Sequence, residues 1–230
     1  MKLTDLLDLC FPRYCLVCEK AIFESYERYL CIVCYSDLPL NIFPIFGPSP
    51  LSRTFWGRCE IQYTGSFLMY QSDSMYSNVF KEIKYRERPD LGKFLGCVYG
   101  QRIQHLFPEE IKEIDWLLPV PMTRKKEQSR GYNQAKFIAE GLAKSWSKTM
   151  DTSHLLRVKE RISQTRKSKF ERWINAQSIY TCAKLPEEIK HVAIIDDVVT
   201  TGSTIEGCVE AIRANNTVKI SVFSLGFTHI

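Results

Sequence analysis

Two rhythms of apolar residues alternate along this chain. Short, mainly apolar runs occur at Trp116 to Val120, Val192 to Ile195 and Val218 to Leu225. Runs this short, bounded by polar or turn residues, predict buried strands. Between them the apolar residues fall three and four apart. Tyr76, Val79, Phe80 and Ile83 predict one helix, and Leu91, Phe94, Leu95, Val98 and Tyr99 a second. Ala135, Ile138, Ala139, Leu142, Ala143 and Trp146 predict a third, and Ile205, Cys208, Val209 and Ile212 a fourth. Glu60 to Tyr63 and Phe67 to Tyr70 read as two further strands around a Thr-Gly-Ser turn. Strands alternating with helices imply an α/β fold with a mainly parallel, helix-covered sheet, whose ligand loops gather at the carboxyl edge of the strands.

The most informative stretch runs from His191 to Thr204, where the strand leads into Asp196 and Asp197, and then Thr200, Thr201, Gly202, Ser203 and Thr204 open a helix. A helix start presents N–H groups without intrahelical partners and a partial positive charge, which suits a phosphate. The hydroxyls can donate to phosphate oxygens, and Gly202 lets backbone come close to an anion. Carboxylates accept hydrogen bonds, so the acids suit sugar hydroxyls. A plain helix cap at Ser203 is the simpler alternative, but a cap needs one polar residue, not two acids and four hydroxyls around a glycine.

This stretch resembles the phosphoribosyl-pyrophosphate (PRPP) motif of the type I phosphoribosyltransferases. The resemblance implies that Asp196 and Asp197 hold the ribose hydroxyls and act in catalysis. It also implies that Thr200, Thr201, Gly202, Ser203 and Thr204 take the 5′-phosphate, with Mg2+ accompanying PRPP.

Two basic segments narrow the likeness. Arg124, Lys125, Lys126 and Arg130 lie between the strand at Trp116 and the helix opening near Ala135. As a loop at the carboxyl edge, the first three would receive pyrophosphate, unless they form an ordinary solvated surface. The stretch from Arg157 to Asn175 holds seven basic residues against two acidic. Its polarity suggests either a mobile basic lid or a solvated charged hairpin.

With Arg130-Gly-Tyr-Asn-Gln134, with Gln164, Glu171, Arg172 and Asn175, and with Ile83-Lys84-Tyr85, the chain resembles the ComF family over essentially its full length. These are competence-associated, phosphoribosyltransferase-like proteins. Thr123 departs from the histidine many members carry, and Lys167 from their apolar residue. The resemblance implies a role in DNA uptake.

Cys15, Cys18, Cys31 and Cys34 form two CxxC knuckles separated by twelve residues. Four thiolates so spaced suit a closed tetrahedral site, hence structural Zn2+ in a small module. A disulfide pair or redox CxxC is the competing reading, and no thioredoxin-like βαβ pattern surrounds either knuckle. Cys10 reads as packing, and Cys59, Cys97, Cys182 and Cys208 as buried thiols. The four histidines share no spacing that suggests a metal or catalytic site.

The 230 residues, 45% apolar, suffice for one α/β domain and a small module. The proline-bearing segment from Asn41 to Leu51 predicts the boundary, giving a zinc module with linker over 1–50 and a phosphoribosyltransferase-like domain over 51–230. No apolar run reaches the length of a membrane span, and the opening residues do not read as a secretory signal, so a cytoplasmic location is expected.

Three functions fit the residues. The first is a phosphoribosyltransferase acting on PRPP with an acceptor that the sequence does not specify. The second is a single-stranded nucleic-acid-binding competence factor whose PRPP site is regulatory or vestigial; it draws on the net charge of +5 and on Phe170 and Trp173 among the cations. The third is a scaffold whose zinc module docks a helicase-like partner, a reading that apolar surface exposed on Ile22, Phe23 and Tyr26 would favour.

Overall fold

The computed structural model describes residues 13–22, 28–85, 88–158 and 179–228. The basic stretch from 159 onward, Cys10, and Phe23 and Tyr26 lie outside the described residues.

Five parallel strands form the central sheet: β3 (Thr64–Met69), β4 (Trp116–Pro119), β5 (Thr149–Met150), β8 (His191–Val199) and β9 (Lys219–Phe227), in the order β3-β9-β8-β4-β5. Two short antiparallel pairs flank it, β1 (Arg13–Tyr14) with β2 (Ala21–Ile22), and β6 (Leu155–Arg157) with β7 (Tyr180–Cys182). The helices are α1 (Ile32–Ser36), α2 (Pro50–Arg53), α3 (Ser77–Tyr85), α4 (Pro89–Leu106), α5 (Pro108–Lys112), α6 (Arg124–Arg130), α7 (Gln134–Trp146) and α8 (Ser203–Arg213).

Alternation along β8 divides the core in two. Ala193 and Ile195 pack with the buried residues of α3, α4 and α7, whereas Val192 and Ile194 pack with α8, the β6–β7 pair and Leu51 and Phe55. Both faces are therefore apolar, which is why Val192 to Ile195 of β8 read as an unbroken run rather than an alternating one. The Cys-rich segment joins the first core, since Ile22, Tyr29, Leu30 and Leu38 are buried together with Leu91 and Leu95 of α4. Its connection to the sheet is tight: the Asn41 N–H donates to the Phe67 carbonyl at 2.8 Å, and the Met69 N–H to the Pro39 carbonyl at 2.8 Å.

Several sequence expectations are corrected here. Thr64-Gly-Ser is no turn but the start of β3, one continuous strand where two were expected. Gly65 is needed for close packing: a Cβ there would lie 2.5 Å from the Tyr99 hydroxyl and 2.8 Å from the Phe223 ring. Arg124, Lys125 and Lys126 are not in a loop but open helix α6, because the Thr123 hydroxyl accepts the Lys126 N–H at 3.3 Å and caps it. The proline-bearing segment does not stay irregular to its end, since Ser49 and Ser52 form a reciprocal capping box and Pro50 opens α2. Ile22 is buried at 1% exposure, so it offers no docking surface for a helicase-like partner. No helix among the described residues is long and apolar enough to cross a membrane.

Candidate functional site

All five strands of the sheet end at one edge. The register Pro119↔Ile195 and Val199↔Phe227 brings the segment after β4, with α6, and the turn after β8 to that same edge. Arg124, Lys125 and Lys126 are solvent-exposed there on α6, and Thr200, Thr201, Ser203 and Thr204 are exposed on the turn.

The turn differs from a plain helix cap. Gly202, not Ser203, occupies the N-cap position of α8, in left-handed conformation with φ 75°, and no side chain caps the helix. Thr201 and Ser203 instead place their hydroxyl oxygens 3.1 Å apart. An uncapped helix start with its hydroxyls turned outward keeps backbone N–H groups available to an anion. Gly202 also makes room on its protein side, because a Cβ would stand 2.8 Å from Phe55 Cε1 and 2.9 Å from Thr54 Cγ2. The Arg58 Nη1 donates to the Thr201 carbonyl at 2.7 Å and the same guanidinium pairs with Glu206, fastening the turn from behind.

The twin acids face opposite ways, as neighbours on a strand must. Asp197 meets Lys84 of α3, with Nζ 3.3 Å from Oδ2. Asp196 is half-buried. Burial first, and then the charge of Asp197, raise its pKa well above the usual carboxylate range, while the Asp197 N–H and Lys84 offset only part of this.

Lys84 is held in place by the Arg130-to-Gln134 segment, a link the sequence did not reveal. The Tyr132 hydroxyl donates to the Ile83 carbonyl, and Gln134 Nε2 to the Lys84 carbonyl at 3.5 Å. Asn133 donates to the Val120 carbonyl at 3.0 Å and accepts the Ala135 N–H at 3.1 Å, which starts α7 directly beyond β4. Ile83-Lys84 and Gly131-Tyr-Asn-Gln134 are thus two halves of one support beneath the acids.

Away from this edge, Cys15, Cys18, Cys31 and Cys34 bring their sulfur atoms within 4.8 Å of one another, with Cys18 and Cys31 3.7 Å apart. Sulfurs bound at about 2.3 Å around a tetrahedral ion would be separated by roughly 3.8 Å, so the cluster fits a metal such as zinc. Burial raises the Cys15 thiol, but the backbone N–H groups of Cys18, Cys31 and Val17 outweigh it and bring it down to about 7. Such donors stabilise a thiolate, the form a metal binds. The Tyr76 hydroxyl donates to the Cys34 carbonyl at 3.2 Å, tying the cluster to the segment before α3.

No family model matches the chain. Among curated proteins it is similar to the competence protein ComFC of Bacillus subtilis, 25% identical over 215 residues that cover 83% of this chain and 85% of that protein. It is also 29% identical to the DNA utilization protein YhgH of Salmonella typhimurium over 225 residues, covering 94% and 98%. With competence protein F of Haemophilus influenzae it shares 29% over 119 residues, covering 50% and 52%. Solved structures give more distant likenesses. The allosteric regulatory enzyme of purine biosynthesis aligns with TM-score 0.42 and 17% identity over 63% of this chain and 29% of that one. Adenine phosphoribosyltransferase aligns with TM-score 0.38 and 15% identity, over 67% and 85%. The chain is thus similar to the competence proteins ComFC and F and to the DNA utilization protein YhgH, and it is built as a helix-covered parallel α/β sheet with an amino-terminal four-cysteine cluster.

Proposed function

We propose that this chain binds PRPP with Mg2+ and transfers the phosphoribosyl group to an acceptor, releasing pyrophosphate, in a process connected with DNA uptake. The observation that carries the reading is the uncapped start of α8, with four exposed hydroxyl residues, directly after two acids at the carboxyl edge of the sheet. The phosphate ester would sit on the Thr200 to Thr204 turn. The ribose hydroxyls would meet Asp196 and Asp197, and the pyrophosphate would face the exposed cations of α6. Mg2+ would supply charge neutralisation to the pyrophosphate oxygens, needing few protein ligands.

In the transfer, the anomeric C–O bond breaks with its electron pair going to pyrophosphate. The acceptor's lone pair forms the new bond, and the acceptor gives up a proton. Positive charge grows on the sugar ring meanwhile, and a carboxylate at the ring stabilises it. Asp197, beside Lys84, is placed for that stabilising role, while Asp196, pushed toward its neutral form, can donate a hydrogen bond or hold a proton. The cysteine cluster would hold zinc as a structural ion, with all four positions filled by protein and none left for substrate. The names of the relatives, competence and DNA utilization proteins, support the cellular setting.

Calorimetry with PRPP and Mg2+ tests the site. The Asp196→Asn, Asp197→Asn double variant should bind about 100-fold more weakly, as the ribose hydroxyls lose their carboxyl partners. Equal affinity in the two proteins would defeat the assignment. Pyrophosphate release across a panel of purines, pyrimidines, amines and single-stranded DNA would identify the acceptor.

A further inference from the structure

The turn that opens α8 carries no cation of its own. Arg58, the guanidinium behind it, is already spent on Glu206 and on the Thr201 carbonyl. A second guanidinium approaches from the β6–β7 pair, where Arg157 stands opposite Tyr180. This pair packs on α8, with Leu155, Tyr180 and Cys182 buried alongside Ile205, Cys208 and Val209. The Tyr180 ring lies 3.0 Å from where a Cβ on Gly207 would stand, one helical turn beyond Thr204.

Two contacts with Tyr180 hold Arg157 beside α8. Its guanidinium lies over the Tyr180 ring at 5.4 Å from the centroid, and its Nη1 donates to the Tyr180 hydroxyl at 3.3 Å. The Thr204 hydroxyl and Asp196 lie near that same phenol. Meanwhile Arg157 Nε is buried with no hydrogen-bond partner. A buried donor left unused is unfavourable unless an acceptor completes it. Asp196 is poorly suited to that role, since its surroundings favour the neutral acid.

We propose that Arg157 supplies the fixed positive charge for a phosphate monoester bound at the start of α8, with Tyr180 as the positioning residue that holds the guanidinium there. The inference rests on the reading that the Thr200 to Thr204 turn takes a phosphate, and adds to it a counter-charge from outside the motif. A stacked guanidinium loses little conformational freedom on binding, and its planar fork matches phosphate oxygens.

The test is calorimetry on the full chain with two probes, ribose 5-phosphate and pyrophosphate. Arg157→Gln should weaken ribose 5-phosphate binding about tenfold or more, while pyrophosphate affinity changes by less than about twofold. Arg157→Lys keeps the charge and loses the fork, so its loss should be about threefold. The wild-type affinity should rise as the phosphate loses its second proton near about pH 6, and Arg157→Gln should flatten that rise.

Unchanged ribose 5-phosphate affinity in Arg157→Gln overturns the inference, as does an equal loss for both probes, which would mark a merely structural residue. If circular dichroism shows Arg157→Gln unfolded, Arg157→Lys decides, and an unchanged affinity there overturns it too. Failure of the wild-type protein to bind ribose 5-phosphate would instead overturn the reading of the turn itself.

Discussion

Lys84 Nζ stands 3.3 Å from Asp197 Oδ2, joining the carboxyl end of α3 to the strand that carries the twin acids. The Tyr132 hydroxyl and the Gln134 amide bind the Ile83 and Lys84 carbonyls on the same turn of helix. Residues far from the phosphate motif in sequence thereby set the surroundings of its second acid.

Removing that support has a calculable cost. Tyr132→Phe deletes the donor to the buried Ile83 carbonyl and should destabilise the protein by about 1–3 kcal/mol. Ser129→Ala, on the exposed face of α6, should stay within about 0.5 kcal/mol. Urea unfolding of the two variants measures the contrast, and equal midpoints would remove the proposed support.

The turn glycine is constrained twice, by its φ of 75° and by Phe55 at 2.8 Å from a notional Cβ. Gly202→Ala should cost about 1–2 kcal/mol for the backbone alone, with the clash added. Phe55→Leu in the same chain should recover part of the clash, giving a coupling of about 0.5–3 kcal/mol in a double-mutant cycle. Strict additivity of the two changes would show that Phe55 does not press on the turn.

Metal removal should reach beyond the cysteine segment. Tyr29, Leu30 and Leu38 are buried in the same core as Leu91 and Leu95, so losing the ion should loosen α4 as well. We expect one zinc per chain by elemental analysis, and a fall in Tm of roughly 10 °C or more on chelation. A metal-free protein that melts at the same temperature would refute this.

Acid should weaken the sheet at its opposite edge. His191 is 1% exposed, with Nε2 2.7 Å from the Ser221 hydroxyl, and burial brings its pKa from 6.5 down to about 4. The unfolded chain therefore binds the proton more readily than the folded one. Stability is full above about pH 6.5 and falls as the pH drops toward about 4, by roughly 3 kcal/mol in all. Urea unfolding at about pH 7.5 and pH 4.5 should reveal the loss in wild type and a smaller one in His191→Gln. The same loss in both proteins would assign it to other groups.

Local pattern was enough for much of this protein. The helices at α3, α4, α7 and α8 and the strands β4, β8 and β9 follow from apolar spacing, because each buries a face whose period is set by its own backbone geometry. The cysteine quartet was legible for a similar reason, since two short knuckles confine their own ligands. Gly65 misled, because its role is to admit Tyr99 and Phe223, and close approach from distant residues leaves no trace in local spacing. The cations at Arg124 read as a loop because their helix depends on a single cap from Thr123 and has no buried residue of its own.

What sequence alone determined was the chemistry available at the β8 turn, two acids and four hydroxyls about a glycine. What the tertiary structure decided was how that chemistry is presented. Strand alternation turns Asp197 to Lys84 and Asp196 toward α8, and Phe55 and Arg58 back the turn from behind. Tyr180, packed with α8, holds Arg157. Those pairings join residues distant along the chain, and only closing the sheet and packing its two faces brings them within reach of one another.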